Sequence, residues 1–396
     1  MVLWLVVLIP TIDLNGFFCV LRRPASYIPI SLFLLAVIGM FWADADWPAR
    51  LQGLSPVSKF LFLPLLLYHF ARSQRVHWLF FAFIGSCSVL LVFSWIVYFE
   101  PALRITKVPT DAAGVPVRNY IDQTQEFALC IFGLAATILA FVKKRMTAAA
   151  MCCGILLLAF VSNLALVTMA RTALLYAPVL TVIFAVRFLP RRFAHVFLIA
   201  AVALASLIAV SSPNLRHRIE KTIDDFKVDR STDIATSQGL RLFYWHTALK
   251  SIAEAPIIGH GTGSTGQLFA REAHGKQGAW SDVVRNPHNQ MLYVAVQWGM
   301  IGTVVLLALW YSHFELFTGR SVASWIGLTV VIQNILSSLL NSHLFDFHEG
   351  WLYVFGVGAA GGAVRRLTTP SAAWKWLYAD FTQDAGATAI RHEAKS

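Results

Sequence analysis

The chain has 396 residues, of which 57% are hydrophobic and 13% are charged, and it carries a net charge of +11. An ordinary soluble domain has roughly 25% charged residues, so this composition excludes a water-soluble protein. The basic residues stand in short clusters between apolar blocks, where positive charge fixes membrane topology, and this pattern argues against nucleic acid as a partner. All five cysteines lie inside apolar blocks without a CxxC pair, so neither a disulfide framework nor a zinc site is predicted.

Apolar blocks recur along the whole chain. A membrane-spanning helix needs about 20 predominantly apolar residues, and eleven blocks approach that length. The sequence therefore predicts an all-α polytopic membrane protein with about 11 to 12 transmembrane helices. The first block lacks the cleavage pattern of a signal peptide and is predicted to be a membrane helix. The blocks cover residues 2–21, 26–42, 60–70, 78–99, 127–142, 148–170, 173–189, 194–210, 290–311, 322–340 and 350–364.

Basic clusters lie at every second boundary between blocks, and these boundaries are predicted to be cytoplasmic. The clusters are Arg22 with Arg23, Arg72 with Arg75, Lys143 to Arg145, Arg187 with Arg191 and Arg192, Arg320, and Arg365 with Arg366. The alternate boundaries are then extracytoplasmic, which places the functional side of an inner-membrane protein in the periplasm. They are 43–59, 100–125, 170–172, 212–289 and 341–350. With an odd number of spans Met1 lies outside, so either a further helix precedes it or one span is missing from the count.

Four regions follow from this topology. Residues 1–211 form the N-terminal transmembrane helices, and residues 212–289 form one long periplasmic segment with amphipathic helices. Residues 290–366 form the C-terminal transmembrane helices, and residues 367–396 form a polar cytoplasmic tail.

The long segment is rich in charge of both signs, with ten Lys or Arg residues and eight Asp or Glu residues. Positive residues are usually scarce on this side of the membrane, so the segment favours an anionic ligand. From Arg241 to Glu254 apolar residues recur at spacings of three and four, which predicts an amphipathic helix ended by Pro256, with Arg241 on its first turn. The apolar positions are Leu242, Trp245, Leu249 and Ile252.

Two short stretches follow this predicted helix. The glycine-rich stretch from Gly259 to Gly263 resembles a phosphate-cradling loop, but no Lys-Ser or Lys-Thr follows it, and a flexible turn at the rim of a cavity is the preferred interpretation. The stretch from Arg285 to Asn289 stands immediately before the next span. Pro287 is suited to the first turn of a helix, and His288 is then placed at the membrane surface.

Three basic residues and one histidine are candidates for chemistry. An imidazole can accept a proton from a sugar hydroxyl near neutral pH, although an interfacial His288 can equally well hydrogen-bond a loop. Arg171 lies at the junction of two spans, where the alternative is that it snorkels to the membrane surface. Because guanidinium groups match phosphate, Arg171 and Arg241 converging on one site can hold a diphosphate. Arg285 is a third candidate, and its alternative is a solvated loop charge.

Two acidic groups are weaker candidates. Asp44-Ala45-Asp46 resembles the two-carboxylate pattern of metal-dependent glycosyltransferases, which so short a loop also matches by chance. A denser group near the last span can bind a metal or an acceptor phosphate, although a solvated loop between helices is the preferred interpretation. This group comprises His343, Asp346, His348 and Glu349.

The sequence resembles the O-antigen ligase family at three places. His288-Asn289, nine residues, Gly299, two residues and Gly302 is similar to the family signature, and Arg171 to Leu175 matches its second pattern of Arg, three residues, Leu. The stretch that precedes His288 is also similar to the ligase and polymerase superfamily. Its matching residues are Arg241, Trp245, Ala248, Pro256, Gly259 and Gly261.

This resemblance implies a GT-C-like membrane glycosyltransferase that moves O-antigen from undecaprenyl diphosphate onto a lipid A-core sugar, with inversion and without metal or nucleotide cofactor. It implies that His288 acts as general base. Together with the arginine candidates named above, it implies that Arg171, Arg241 and Arg285 bind the donor diphosphate. The partners are the lipid-linked O-antigen, the lipid A-core and membrane lipids. The family usually has twelve spans with both termini cytoplasmic, and the eleven blocks found here depart from that pattern.

Three alternatives remain at the level of sequence. An O-antigen polymerase uses the same donor, but the expected pattern of Arg, ten residues, Gly is missing from the two large loops. A protein O-oligosaccharyltransferase usually has a larger C-terminal extracytoplasmic region. A non-enzymatic transporter of lipid-linked glycan explains the membrane character but not the signature at His288.

Overall fold

A computed structural model describes residues 8–105, 113–117, 119–211 and 237–366. All regular structure in these residues is helical, so the predicted all-α class is confirmed. The predicted features at 212–236 and in the tail from 367 onward lie outside the described residues. In chain order the helices are α1 Leu14–Leu21, α2 Pro24–Gly39, α3 Trp47–Ser58, α4 Leu63–Arg72, α5 Val76–Phe99, α6 Tyr120–Lys143, α7 Thr147–Leu166, α8 Ala173–Phe188, α9 Arg191–Ser211, α10 Ser237–Glu254, α11 Thr265–Ala273, α12 Gln290–Leu316, α13 Val322–Ser337 and α14 Phe347–Val364.

Five of the described helices are long and apolar enough to cross a membrane, which confirms the polytopic prediction. They become six if α1 and α2, which meet at 77°, form one broken span. Within the described residues each remaining apolar block also contains a helix, and the full count of 11 to 12 spans stays a prediction. The five are Trp47–Arg72, Val76–Phe99, Tyr120–Lys143, Thr147–Leu166 and Gln290–Leu316.

The first predicted extracytoplasmic loop, residues 43–59, requires a correction. Asp46 caps the start of α3 by accepting a hydrogen bond from the Ala49 amide at 3.0 Å, and Pro48 lies in the first turn, where a proline loses no helical hydrogen bond. From there the helix continues through a 3₁₀ turn, Lys59–Phe62, into α4. Only residues 43–46 therefore remain a loop, and the span starts well before Phe60.

The described residues fall into two compact units. The first unit holds residues 8–68, 237–315 and 334–358, and the second holds 69–105, 113–117, 119–211, 316–333 and 359–366. In the second unit the rings of Phe127 on α6 and Phe160 on α7 meet edge to face at 5.0 Å. Trp325 on α13 donates its indole N–H to the Phe132 carbonyl at 2.8 Å, so α6 is packed on two sides.

In the first unit, α12 is broken at Gly299, whose φ of 58° and ψ of −149° suit glycine alone. The chain that follows α10 occupies this break. The amides of His260 and Gly261 donate to the carbonyls of Val296 and Gln297 at 2.9 and 2.8 Å. Backbone groups that the break releases from the helix are thereby satisfied, as a membrane environment demands.

The stretch from Gly259 to Gly263 reaches the rim of a cavity at Gly263, as predicted, but most of it is tightly packed. Thr262 is fully buried there, and its hydroxyl donates to the Ala36 carbonyl at 2.6 Å while accepting from the Trp298 indole at 2.9 Å. The Thr262 amide also donates to the Gly39 carbonyl at 3.0 Å. The absence of a Cβ at Gly259 and Gly261 allows this stretch to pack closely against the backbones of α12 and α2.

A pair of alanine substitutions tests this packing. A Cβ at Gly259 would lie 2.5 Å from the Gln297 carbonyl carbon and 2.6 Å from the Gly299 nitrogen, whereas a Cβ at Gly275 meets nothing within 4 Å. Both glycines have positive φ, so both substitutions carry the same backbone cost. Gly259→Ala is therefore expected to destabilise the protein by about 1–3 kcal/mol more than Gly275→Ala, measured by thermal unfolding in detergent. Equal midpoints would contradict the tight contact.

Candidate active site

His288 lies in the turn before α12, with its backbone in the left-handed region at a φ of 55°. The side-chain oxygen of Asn286 stabilises this turn by accepting from the His288 amide at 2.8 Å and from the Ser342 hydroxyl at 2.6 Å. The backbone N–H of Gln290 donates to the Ser338 carbonyl at 3.0 Å. Hydrogen bonds therefore connect this turn to the segment that follows α13.

The expectation that Pro287 begins the helix is wrong. The helix begins at Gln290, and Asn289 caps it by accepting from the Leu292 amide at 3.1 Å. Asn289 also donates its amide to the Leu339 carbonyl at 3.0 Å. His288 is consequently the residue before the cap, and its backbone does not adopt helical dihedral angles.

The His288 ring is held by an asparagine from the segment between α13 and α14. Its Nδ1 lies 2.8 Å from the side-chain oxygen of Asn341, and the amide nitrogen of Asn341 lies 3.0 Å from Nε2 of His343. An amide oxygen only accepts hydrogen bonds and an amide nitrogen only donates them. His288 therefore carries its proton on Nδ1, and its Nε2 presents a lone pair.

Both imidazoles are held in the neutral form. Burial, and then the positive charge of Arg241, lower the pKa of His288, against the opposing effect of the Asn341 hydrogen bond. Burial lowers the pKa of His343 to about 3, with a further contribution from the positive charge of Arg241. At neutral pH the lone pair on Nε2 of His288 is thus available to accept a proton.

Helix α10 brings Arg241 and Tyr244 to this site. The helix ends at Glu254, ahead of Pro256, as predicted, but it begins at Ser237, so Arg241 lies on the second turn and not the first. The Tyr244 ring lies 6.2 Å from the His288 ring. Arg241 lies one helical turn before Tyr244 on the same face of α10, and its positive charge lowers the pKa of both histidines.

Arg285 faces a different part of the first unit. Its guanidinium donates to the side-chain oxygen of Gln52 on α3, and it lines a cavity of about 670 Å³. Arg171 is half-buried in the turn that precedes α8, at the predicted junction of two helices, and it belongs to the second unit. Its convergence with Arg241 stays a prediction.

The two acidic groups have structural partners in the first unit. Asp44 forms an ion pair with Arg271 at 2.5 Å, and Asp46 is the cap of α3. His343 is 0% exposed and Glu349 is 8% exposed, so the interpretation of their segment as a solvated loop is wrong.

A positive charge of the chain itself lies against the second group. The buried Lys59 ammonium donates to the carbonyl of Asp346 at 2.6 Å and lies close to the carboxylates of Asp346 and Glu349. His343, Asp346 and Glu349 bring potential ligand atoms within 4.8 Å of one another. Because Lys59 offsets one of the two carboxylate charges, the case for a divalent cation there is weakened.

Sequence reasoning missed Asn341 as a partner of His288. The signal is a repeated tripeptide, since Asn286-Pro287-His288 and Asn341-Ser342-His343 share the pattern Asn, any residue, His. The two asparagines bond reciprocally, each accepting a hydrogen bond from the opposite tripeptide. Gln290 was also missed. Its side chain is fully buried, and neither Nε2 nor Oε1 of its side-chain amide has a hydrogen-bond partner among the described residues.

Comparisons with known proteins agree with the predicted resemblance to O-antigen ligases. Residues 155–307 match the model of a family described as O-Antigen ligase. A putative polysaccharide ligase from Rickettsia conorii is 31% identical over 80 residues, which is 19% of this chain and 19% of that protein. An uncharacterized protein from Haemophilus influenzae is 27% identical over 190 residues, or 46% of each chain. The chain thus matches less than half the length of either relative.

Fold and site together define an all-helical, multi-pass membrane protein with a neutral, half-buried imidazole just before the start of a membrane-spanning helix. Its predicted resemblance to the O-antigen ligase family is confirmed over residues 155–307. That range contains His288, Arg171, Arg241 and Arg285 together with Gly299 and Gly302.

Proposed function

We propose that this chain is a glycosyltransferase of the inner membrane that joins O-antigen, carried on undecaprenyl diphosphate, to a sugar of the lipid A-core in the periplasm. The observation that carries the proposal is the hydrogen bond from Nδ1 of His288 to Asn341, at 2.8 Å, because it leaves Nε2 as a base. The family match and the multi-pass membrane fold support the same reaction class.

The proposed reaction exchanges one glycosidic bond for another and transfers one proton. Nε2 of His288 takes the proton of an acceptor sugar hydroxyl while that oxygen attacks the anomeric carbon of the donor glycan. The bond from the anomeric carbon to the phosphate oxygen breaks, and undecaprenyl diphosphate leaves with the bonding electrons. Attack opposite the leaving group inverts the anomeric centre.

Arginines are proposed to balance the charge that develops on the leaving diphosphate. Arg241 lies near His288, and a guanidinium fork matches phosphate oxygens. Arg171 is proposed as the second arginine of the diphosphate site because it lies at a helix junction within the matched residues. These cations supply the stabilisation that a metal provides in other transferases, so the proposed mechanism uses neither metal nor nucleotide.

Substitution of Arg241 separates its two proposed effects. Arg241→Met removes the charge that lowers the pKa of His288, so the acid limb of the pH profile of kcat is expected to move to higher pH. Loss of a charged hydrogen bond also raises KM for the donor by about tenfold to 100-fold. Arg241→Lys keeps the charge but loses the planar fork, so it raises KM without moving the acid limb.

Lys250→Met is the matched control, since Lys250 is exposed on the same helix and pairs with Glu272 at 2.7 Å. Its kinetics should equal those of the wild type. Wild-type KM and pH dependence in both Arg241 variants would remove this residue from the donor site.

Deletion of the gene in its host tests the proposed function as a whole. The ligase reaction predicts lipopolysaccharide without O-antigen on a gel, together with full-length polymer that stays on its lipid carrier. Single O-antigen repeats attached to lipid A-core would instead identify a polymerase. Unchanged lipopolysaccharide would reject both reactions.

A further inference from the structure

A buried lysine lies behind the segment that holds the His288 ring, and the proposed transfer step does not use it. Lys59 belongs to the 3₁₀ turn between α3 and α4 and is 3% exposed, and the stretch Trp47–Arg72 around it is apolar enough to cross a membrane. A charged side chain at such a place is costly, and by default it indicates a function. The ammonium also lies at the first turn of α14, where the helix dipole repels a cation.

The Lys59 ammonium binds the main chain of this segment. Its three donors meet three consecutive carbonyl oxygens, those of Leu344, Phe345 and Asp346, at 3.3, 3.3 and 2.6 Å. Gly350 of α14 leaves the room for this contact, since a Cβ there would overlap Nζ of Lys59 and lie 2.5 Å from the Leu344 carbonyl oxygen. The ammonium thus fixes the direction of three successive peptide groups.

These peptide groups are joined to Asn341 by short-range hydrogen bonds. The backbone N–H groups of Phe345 and Asp346 both donate to the Ser342 carbonyl, at 2.9 and 3.0 Å. Ser342 directly follows Asn341 in the chain. The side-chain oxygen of Asn341 in turn lies 2.8 Å from Nδ1 of His288. A shift of carbonyls 344–346 therefore moves the oxygen that sets the His288 tautomer.

The segment has a second attachment that does not involve Lys59. The Phe345 ring contacts two rings of α12, with centroid distances of 5.5 Å to Tyr293 and 6.0 Å to Trp298. This aromatic contact keeps the segment against α12 when the ammonium is removed. Loss of Lys59 is therefore expected to change the position of the segment rather than to detach it.

We propose that Lys59 is a positioning residue for the general base, whose ammonium holds carbonyls 344–346 so that the Asn341 side-chain oxygen stays on Nδ1 of His288. The catalytic consequence rests on the proposed glycan transfer, whereas the effect on the His288 tautomer does not. At 3% exposure Lys59 acts through this segment and not on the substrate.

Two variants of the full-length protein test the proposal. Lys59→Met nearly keeps the length of the side chain and removes its charge and its donors. Arg50→Met is the matched control, because the Arg50 guanidinium likewise donates to three backbone carbonyls, which lie between α2 and α3. These are the carbonyls of Met40, Ala43 and Ala45, at 2.7, 2.9 and 2.8 Å.

The first measurement is the tautomer of His288 at neutral pH, by NMR of protein with isotopically labelled histidine. The signals of His288 are assigned by their loss in His288→Ala. The wild type and Arg50→Met are expected to carry the proton on Nδ1, and Lys59→Met is expected to show a substantial share of the tautomer with the proton on Nε2. A proton on Nδ1 alone in folded Lys59→Met would overturn the proposal, whatever reaction the protein catalyses.

The second measurement is a double-mutant cycle on kcat with lipid-linked O-antigen and lipid A-core. Lys59→Met is expected to lower kcat about tenfold to 100-fold at unchanged donor KM, as loss of a residue that supports a catalytic group does. Arg50→Met should keep the wild-type kcat. In the Asn341→Ala background, Lys59→Met should change kcat by no more than about twofold, because both changes remove the same hydrogen bond. Effects that multiply would place the action of Lys59 elsewhere and overturn the proposal.

Removal of Lys59 leaves the carboxylates of Asp346 and Glu349 without their cation. If Lys59→Met does not fold, the double variant Lys59→Met with Glu349→Gln restores the net charge of the group. It is compared with Glu349→Gln in both measurements, with the same expected differences. An unfolded double variant would assign Lys59 to folding and overturn the positioning role.

Failure of this inference and failure of the proposed function give different results. If the wild type transfers glycan and folded Lys59→Met keeps both its kcat and the Nδ1 tautomer, the positioning role is wrong and the function stands. If the tautomer changes in Lys59→Met but the wild type joins no glycan to lipid A-core, the positioning role stands and the function is wrong.

Discussion

Purified His288→Ala protein is expected to transfer glycan about 10²- to 10⁴-fold more slowly than the wild type, because a positioned general base contributes that factor. The lone pair on Nε2 is lost with the ring, and no other imidazole takes its place: His343 is buried and its Nε2 lies against the Asn341 amide. Turnover is measured with lipid-linked O-antigen and lipid A-core in detergent. Donor KM should change little, since Arg241 remains.

His246→Ala is the control for this experiment. His246 is an exposed residue of α10, in the helix that carries Arg241, and its loss should leave turnover unchanged. Elution as a single species and an unchanged thermal midpoint show that His288→Ala is folded. Wild-type turnover by folded His288→Ala protein would end the general-base proposal.

Asn341→Ala is expected to lower kcat by about tenfold to 100-fold, the usual effect of removing a residue that orients a catalytic ligand or base. Without the amide, the His288 ring is free to turn and to carry its proton on Nε2, which is the wrong tautomer for a base. The hydrogen bond at 2.8 Å is the basis of this expectation. Donor KM should stay near the wild-type value, because Asn341 is not proposed to touch the diphosphate.

Asn341→Asp provides a readout that a purely structural role would not change. In the wild type, burial and Arg241 lower the pKa of His288, so the acid limb lies at a lower pH than for a free imidazole, and activity is lost as pH falls through it. A carboxylate at position 341 favours the imidazolium and raises that pKa, so the limb moves to higher pH and activity recovers in alkaline buffer. Among the described residues, Arg241, Tyr244 and His343 are the other charged or titratable groups recorded near His288, and they are unchanged in this variant.

His348→Gln is the control within the same segment. Its ring contacts the neighbouring Phe347 ring, and the hydrogen bonds of Asn341 do not involve it. It should retain both kcat and the position of the acid limb. If Asn341→Asp has a wild-type pH profile and Asn341→Ala has a wild-type kcat, the tautomer of His288 is set by something else.

Local patterns were sufficient to predict the elements that carry the site. The spacing of apolar residues and Pro256 placed the end of α10 correctly, because both signals act within one or two helical turns. The block from residue 290 placed α12 and left His288 just ahead of it. The start of α10 was missed because the residues before Arg241 lack apolar periodicity.

Partners that are distant in sequence were not predictable in the same way. Asn341 lies 53 positions from His288, and a single sequence does not report that the two tripeptides meet. Glycine spacing likewise signals permissive backbone but does not separate a mobile turn from a tightly packed one. At Gly259 and Gly299 the second case holds, since the loop and the broken helix bond to each other through their backbones.

The most direct test of the central claim is transfer by the purified wild-type protein between lipid-linked O-antigen and lipid A-core, with the released lipid measured. The account predicts one undecaprenyl diphosphate released for each glycan joined to lipid A-core, inverted configuration at the new bond, and undiminished rates in the presence of EDTA. Formation of longer lipid-linked glycan with none on lipid A-core, or loss of all transfer with EDTA, would contradict it.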